Sequence, residues 1–143
     1  CIGNNKLQQN TLIANYRTSA SIQLNIEPYP KIINGLISSV LFSNSKEKVF
    51  MVEGTINSCN SLFYYLEKKI NINHQVINWN VRVKNIETDG IFIPGFSGIA
   101  SLYWKTGFEN ILIDLDSNIN QTIKATMESI GILTYNILSL FKK

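Results

Sequence analysis

Few side chains in this 143-residue sequence have the type and spacing that chemistry requires. Asp114 and Asp116 alternate at the end of a predicted strand, so both carboxylates could face one side and hold Mg²⁺ or exchange protons. We favour the alternative that the two are turn and helix-capping acids before the last helix. Glu53 ends an apolar strand, where it could act as an acid or accept hydrogen bonds from the next helix start. The single histidine, His74, lies in a polar run without an acid to orient it, and we expect it in solvent.

The composition argues against several classes of function. One histidine, ten acidic residues and two cysteines without a CxxC spacing do not indicate a metal site. The net charge of +3 is spread along the chain, which argues against nucleic acid as a partner. The sequence has no uninterrupted run of ~18 apolar residues, so it predicts no membrane span. The two cysteines, Cys1 and Cys59, indicate a reducing compartment rather than a disulfide framework. Residue types alone therefore predict one globular domain and identify no reaction that it catalyses.

The first half of the chain predicts an antiparallel three-strand meander. Residues 19–26 alternate apolar and polar side chains, which is the period of a half-buried strand, and the prolines that follow end it. A second strand is predicted over 36–42, after an Asn-Gly turn, and a third over 48–53. The third strand is apolar on both faces, so we expect it at the centre of the sheet.

The second half of the chain alternates helices with short strands. Helical spacing of apolar residues predicts a helix from 56 to 70, with Thr55 or Asn57 as its cap. A less regular helical pattern covers 76–86. Short apolar strands and a long final helix complete the pattern, at 91–93, 111–113 and 119–141. This order of elements indicates a layered α/β or α+β domain.

Three stretches of the chain carry a resemblance to known proteins. The first is Val52-Glu53-Gly54 with the helix that ends Tyr64-Tyr65-Leu66. The second and most specific runs from Asp89 to Trp104 and is similar to Gly-Val-Tyr-Phe-Val-Pro-Ala-Phe-Ser-Gly-Leu-x-Ala-Pro-Tyr-Trp. The third runs from Thr122 to Thr134 and is similar to Ile-x-Arg-Ala-x-Leu-Glu-Ser-Ile-x-x-Gln-Thr. In their order and spacing, these stretches resemble the glycerol kinases of the FGGY carbohydrate kinase family.

The resemblance implies that residues 1–143 are the first part of the family's C-terminal domain, an α/β, actin-like and ribonuclease-H-like ATPase domain fragment. The family transfers the γ-phosphoryl group of ATP to glycerol with Mg²⁺, giving glycerol 3-phosphate. We expect neither ATP nor Mg²⁺ as a cofactor of this chain and assign no catalytic residue to it. The chain begins with Cys rather than Met, so we expect a fragment or a processed product, in the cytoplasm or associated with mitochondria.

The chain departs from the family where phosphate should bind. The family's Gly-Thr-Gly hairpin falls between Thr11 and Ala20, near Arg17 and Thr18, and this segment has no glycine. Glycine lets backbone N–H groups approach phosphate oxygens without a Cβ in the way. We therefore predict that the tight turn cannot form, that the phosphate-binding hairpin is lost, and that the chain alone is inactive. Arg17 supplies charge but not an N–H cradle.

Other family positions are changed as well. The nucleotide-contacting glycine and glutamine fall on Asn60 and Tyr64, and we expect Tyr64 to intrude where nucleotide would lie. The aromatic residue that touches glycerol falls near Ala20. The resemblance thus implies one degenerate substrate-binding position, at Ala20. It also implies degenerate nucleotide-binding positions at Thr11, Arg17, Thr18, Asn60 and Tyr64.

Three interpretations stay open. The chain is a glycerol kinase-like piece that cannot transfer phosphate, or it is a piece of a longer active glycerol kinase. In the third interpretation it is a non-catalytic structural or interaction module in a larger assembly. That module would dock on a protein partner or form a homo-oligomer through exposed apolar surface.

Overall fold

A computed structural model describes residues 8–26, 28–73, 76–115 and 118–142. Three residues from the sequence analysis, Cys1, His74 and Asp116, lie outside these ranges. The strands and helices, in chain order, are β1 (Leu12–Tyr16), β2 (Ala20–Ile26), β3 (Ile37–Ser43), β4 (Lys48–Ile56), α1 (Asn60–Ile70), α2 (Trp79–Val83), β5 (Ile91–Ile93), β6 (Ile111–Ile113) and α3 (Ile119–Phe141).

The main sheet is antiparallel and has the strand order β1-β2-β4-β3. β4 pairs with β2 on one side and β3 on the other, which confirms the antiparallel sheet and the central place of the third predicted strand. The three-strand meander is wrong, because β3 lies beyond β4 rather than between β2 and β4. The connection between β2 and β3 is longer than a tight hairpin turn, so β3 need not lie beside β2.

β1 is an edge strand that the sequence pattern did not predict. It pairs with β2 from Leu12 opposite Leu24 to Tyr16 opposite Ala20. Four of its five residues are exposed, so it lacks the alternation of buried and exposed side chains by which a half-buried strand is found in a sequence.

The core lies between the sheet and α3. Ala20 and Ile22 of β2 and Ile56 of β4 are buried in one cluster with Ile137 of α3. Gly54 allows the close approach of the helix, since a Cβ added there would lie 2.3 Å from Cγ2 of Ile137. The long final helix and its apolar face are therefore confirmed.

The start of α1 differs from the prediction. β4 continues to Ile56, so α1 begins only after Cys59 and not at residue 56. Cys59 is the N-cap residue, and no side chain of the described residues caps the helix, which excludes Thr55 and Asn57 from that role. Thr55 instead bonds Ser101, whose Oγ accepts the Thr55 N–H at 2.6 Å. The backbone groups at the start of α1 therefore need partners elsewhere.

The remaining elements are short and follow the sequence pattern in part. α2 covers five residues of the predicted 76–86 helix, and Asn78 Oδ1 accepts the Val81 N–H at its start. β5 and β6 form the predicted pair of short strands and are hydrogen-bonded to each other in antiparallel register. Among the described residues, no helix combines the length and the apolar character that crossing a membrane requires.

Candidate functional site

The hairpin between β1 and β2 forms without glycine. Arg17, Thr18 and Ser19 connect the two strands, and Tyr16 pairs with Ala20 directly below them. None of these three residues has a positive φ, so the turn does not use the conformation that favours glycine. The prediction that no tight turn can form in this segment is therefore wrong. Phosphate binding by the turn depends on where its backbone N–H groups point.

The tip of the hairpin is seated on the start of α1. The Asn60 N–H donates to the Arg17 carbonyl at 2.8 Å, and the Cys59 N–H donates to the Thr18 carbonyl at 3.0 Å. The Ser61 N–H also reaches the Thr18 carbonyl, at 3.4 Å. These carbonyls satisfy helix N–H groups that a capping side chain would otherwise bind. The hairpin itself thus replaces the cap that α1 lacks.

The hydrogen bonds between the hairpin tip and the start of α1, which we call the seat of the hairpin, fix the direction of two peptide N–H groups. In a trans peptide group the C=O and N–H bonds point in opposite directions. Because the carbonyls of Arg17 and Thr18 point toward α1, the N–H groups of Thr18 and Ser19 point away from it. Within the described part of the chain, neither N–H has a hydrogen-bond acceptor. The third tip amide is used internally, since the Arg17 N–H donates to the Ser19 carbonyl at 2.8 Å.

The side chains of the tip favour an anion. Arg17, Thr18 and Ser19 are all exposed. The Arg17 guanidinium forms no ion pair or hydrogen bond with the residues that the structure describes. Two adjacent outward N–H groups beside an unpaired guanidinium are a donor set that suits phosphate oxygens.

The structure brings together some of the predicted site residues. Arg17 and Thr18 meet Asn60 at the seat, and Tyr64 follows one turn further along α1. Thr11 lies at the other end of the hairpin, where its carbonyl accepts the Asn25 N–H. The five residues of β1 separate it from Arg17 at the tip, which places the two ~20 Å apart along the strand. The structure therefore does not bring Thr11 together with Arg17 and Thr18, and its role in nucleotide binding stays a prediction.

The structure does not bring Ala20 to the tip of the hairpin either. It is 3% exposed and lies in the core with Ile56 and Ile137. Its neighbour Ser21 lies on the opposite face of the sheet, where its hydroxyl donates to Glu53 Oε1. Glu53 therefore bonds a neighbouring strand, in place of the predicted alternative at the helix start. Asp114 is exposed and has a φ of 48°, which is a turn conformation.

Tyr64 lines a groove beside the seat. Its side chain is 52% exposed. The groove has a volume of about 240 Å³ and is bordered by Asn60, Phe63, Tyr64 and Trp79. Tyr64 thus forms one wall of an open groove, and its predicted interference with nucleotide stays a prediction.

Two residues of the site were not found from the sequence. Ser19 supplies an outward N–H, and Ser61 supplies a hydroxyl that donates to the Thr18 carbonyl at 3.2 Å. Both contributions depend on the contact between the hairpin and α1, which are about 40 residues apart in the chain. Only the pairing of β1 with β2 and of β2 with β4 brings them together.

Comparisons with known proteins agree with this fold. The chain is 23% identical over 109 residues to glycerol kinase of Haemophilus influenzae, which covers 73% of the chain and 22% of that protein. The structure of Plasmodium falciparum glycerol kinase with ADP superposes with a TM-score of 0.81 at 20% identity, over 99% of this chain and 29% of that one. A xylulose kinase from Lactobacillus acidophilus gives a TM-score of 0.77 at 15% identity, over 98% and 29% of the two chains. No protein-family model matches the chain.

The fold is that of the sugar kinases, an α/β fold of the actin-like ATPase kind, which confirms the predicted fold class. The predicted resemblance to the glycerol kinases of the FGGY family is also confirmed, and the chain is glycerol kinase-like. It spans about a quarter of the length of the relatives it matches.

Proposed function

We propose that this chain supplies a phosphate-binding hairpin to a glycerol kinase-like phosphotransferase, which transfers the γ-phosphoryl group of ATP to glycerol. The observation that carries the proposal is the pair of outward N–H groups of Thr18 and Ser19, next to the Arg17 guanidinium. Phosphoryl transfer asks little covalent chemistry of the protein and requires that the phosphates be held in place.

Nucleotide would extend from the tip along the start of α1. The two amides and Arg17 would hold phosphate oxygens, and the groove beside Asn60 and Tyr64 would take a neighbouring part of the nucleotide. The described residues contain no group of three or more His, Cys, Asp or Glu side chains that could hold a metal ion.

We further infer that the 143-residue chain binds phosphate groups without transferring them. Side chains at all three tip positions limit how closely an anion can approach the backbone, where a glycine hairpin would leave it bare. The internal bond of the Arg17 N–H also removes one of three amide donors. Weak binding without turnover is the expected result for the chain alone.

Calorimetry and a kinase assay test the two parts of this proposal separately. With ADP as the titrant, we expect a dissociation constant of about 1 mM or weaker, lost when salt is raised. With ATP, Mg²⁺ and glycerol, we expect no formation of glycerol 3-phosphate. An absence of binding at tens of millimolar ADP would refute the phosphate site. Turnover by the chain alone would refute the inference of inactivity and favour a self-sufficient kinase.

A second candidate function is an interaction module, and one surface favours it. An apolar groove of about 420 Å³ lies between α3, α1 and the end of β1, lined among others by Tyr16, Phe63, Met127, Ile130 and Leu138. Tyr135 at its border is 69% exposed. Light scattering after size-exclusion chromatography tests this candidate. A homo-oligomer that Tyr135→Lys dissociates would support it, and a monomer at ~100 μM would count against self-association.

A further inference from the structure

We infer that Ser61 is a positioning residue, which holds the hairpin so that its N–H groups face a phosphate. This inference rests on the proposed function, because it concerns the same site. Ser61 touches the hairpin twice, through its N–H at 3.4 Å and its hydroxyl at 3.2 Å from the Thr18 carbonyl oxygen. Among the described residues, it is the side chain that donates to the backbone of the tip.

The role follows from the planarity of the peptide group. Holding the Thr18 carbonyl toward α1 holds the Ser19 N–H in the opposite direction, because the two belong to one rigid plane. The Cys59 N–H also donates to the Thr18 carbonyl, at 3.0 Å, and the Ser61 hydroxyl adds a further donor to the same oxygen. This added bond opposes rotation of the peptide group, which would turn the Ser19 N–H away from an anion. Ser61 acts on this N–H without contacting the anion itself.

A role in the helix alone does not account for Ser61. It is the second residue of α1, whereas the N-cap is Cys59, and its hydroxyl bonds the hairpin instead of an N–H group of the helix. Alanine is the better helix former. Ser61→Ala should therefore preserve or strengthen α1 while it loosens the tip. The two effects have opposite signs and can be measured apart.

The test compares Ser61→Ala and Ser61→Thr with wild type by ¹⁵N NMR, before and during titration with inorganic phosphate. The matched control is Ser139→Ala, which removes a hydroxyl that donates at 2.8 Å to the Tyr135 carbonyl of its own helix rather than to the hairpin. We expect Ser61→Ala to shift and broaden the amide signals of Thr18 and Ser19 and to weaken phosphate binding by roughly three- to tenfold, the effect of one hydrogen bond. Ser61→Thr keeps the hydroxyl and should stay within about twofold of wild type.

The outcomes separate the inference from the proposed function. If wild type binds no phosphate, the proposed function fails, while the amide signals still test the positioning role. Loss of order at Thr18 and Ser19 in Ser61→Ala, restored by Ser61→Thr, supports the inference. Tip signals and phosphate affinity in Ser61→Ala that match those of Ser139→Ala would overturn it.

Discussion

Replacing Gly54 by alanine tests the packing that holds the sheet against α3. A Cβ at this position would lie 2.3 Å from Cγ2, 2.8 Å from Cγ1 and 2.9 Å from Cδ1 of Ile137. Carbon atoms in contact prefer about 3.5–4.0 Å, so the added methyl group needs more than 1 Å of movement. Ile137 is 1% exposed and branched at Cβ, so it cannot swing aside without moving α3.

We expect Gly54→Ala to lower the free energy of unfolding by about 1–3 kcal/mol, the usual cost of overpacking a core. Ile137→Ala alone should cost about 2–5 kcal/mol, because it leaves a cavity. In the double variant the two changes compensate, so the cost should be smaller than the sum by roughly 1–3 kcal/mol. Urea unfolding with an unchanged m-value measures all three.

Gly131→Ala is the matched control for this prediction. Gly131 lies in α3 with open space around it, since an added Cβ would meet nothing within 4 Å. Alanine should stabilise this helix position by up to ~1 kcal/mol. The reasoning would be refuted if Gly54→Ala were neutral or stabilising, or if the costs of Gly54→Ala and Ile137→Ala were additive.

Two further predictions concern the hairpin and the residue next to it. Arg17→Ala should weaken phosphate binding by about three- to tenfold and reduce its salt dependence, with Arg17→Lys intermediate. Arg82→Ala is the control, because the Arg82 Nε–H donates to Asn120 Oδ1 instead of the hairpin, and its affinity should match wild type. Equal phosphate affinity in Arg17→Ala and wild type would remove Arg17 from the site. Burial raises the pKa of the Cys59 thiol above its ordinary value of 9.0, although the Asn60 N–H opposes this shift. The folded state keeps the thiol proton to a higher pH than the unfolded state does. The contribution of the protonated thiol to the free energy of unfolding is therefore complete below pH 9 and is lost as the pH rises through the folded-state pKa. Unfolding titrations of wild type and Cys59→Ala between pH 8 and 10.5 should diverge only above pH 9, and parallel curves would contradict the shift.

Much of the fold follows from local patterns in the sequence. β2 and α3 have the alternating or helical spacing of apolar residues that burial on one face imposes, and β4, β5 and β6 contain short continuous apolar runs. β1 lacks such a pattern because it is an exposed edge strand. The order of the strands could not be predicted either, since the connection between β2 and β3 is compatible with β3 lying beside β2 or beside β4.

The site was harder to predict than the fold. The absence of glycine led to the prediction that no tight turn forms, and that prediction was wrong. The shape of the turn is set by the N–H groups of α1, which bond the carbonyls of Arg17 and Thr18. Ala20 was assigned to substrate from its place in the family pattern, whereas the pleat of β2 directs it into the core. Interactions between distant segments decided both outcomes.

A crystal structure of the chain grown with ADP tests the central claim most directly. We expect phosphate oxygens within about 2.7–3.2 Å of the backbone nitrogens of Thr18 and Ser19, with the carbonyls of Arg17 and Thr18 still bonded to α1. A tip whose N–H groups bond other atoms of the chain, or ADP phosphates bound away from residues 17–19, would contradict it.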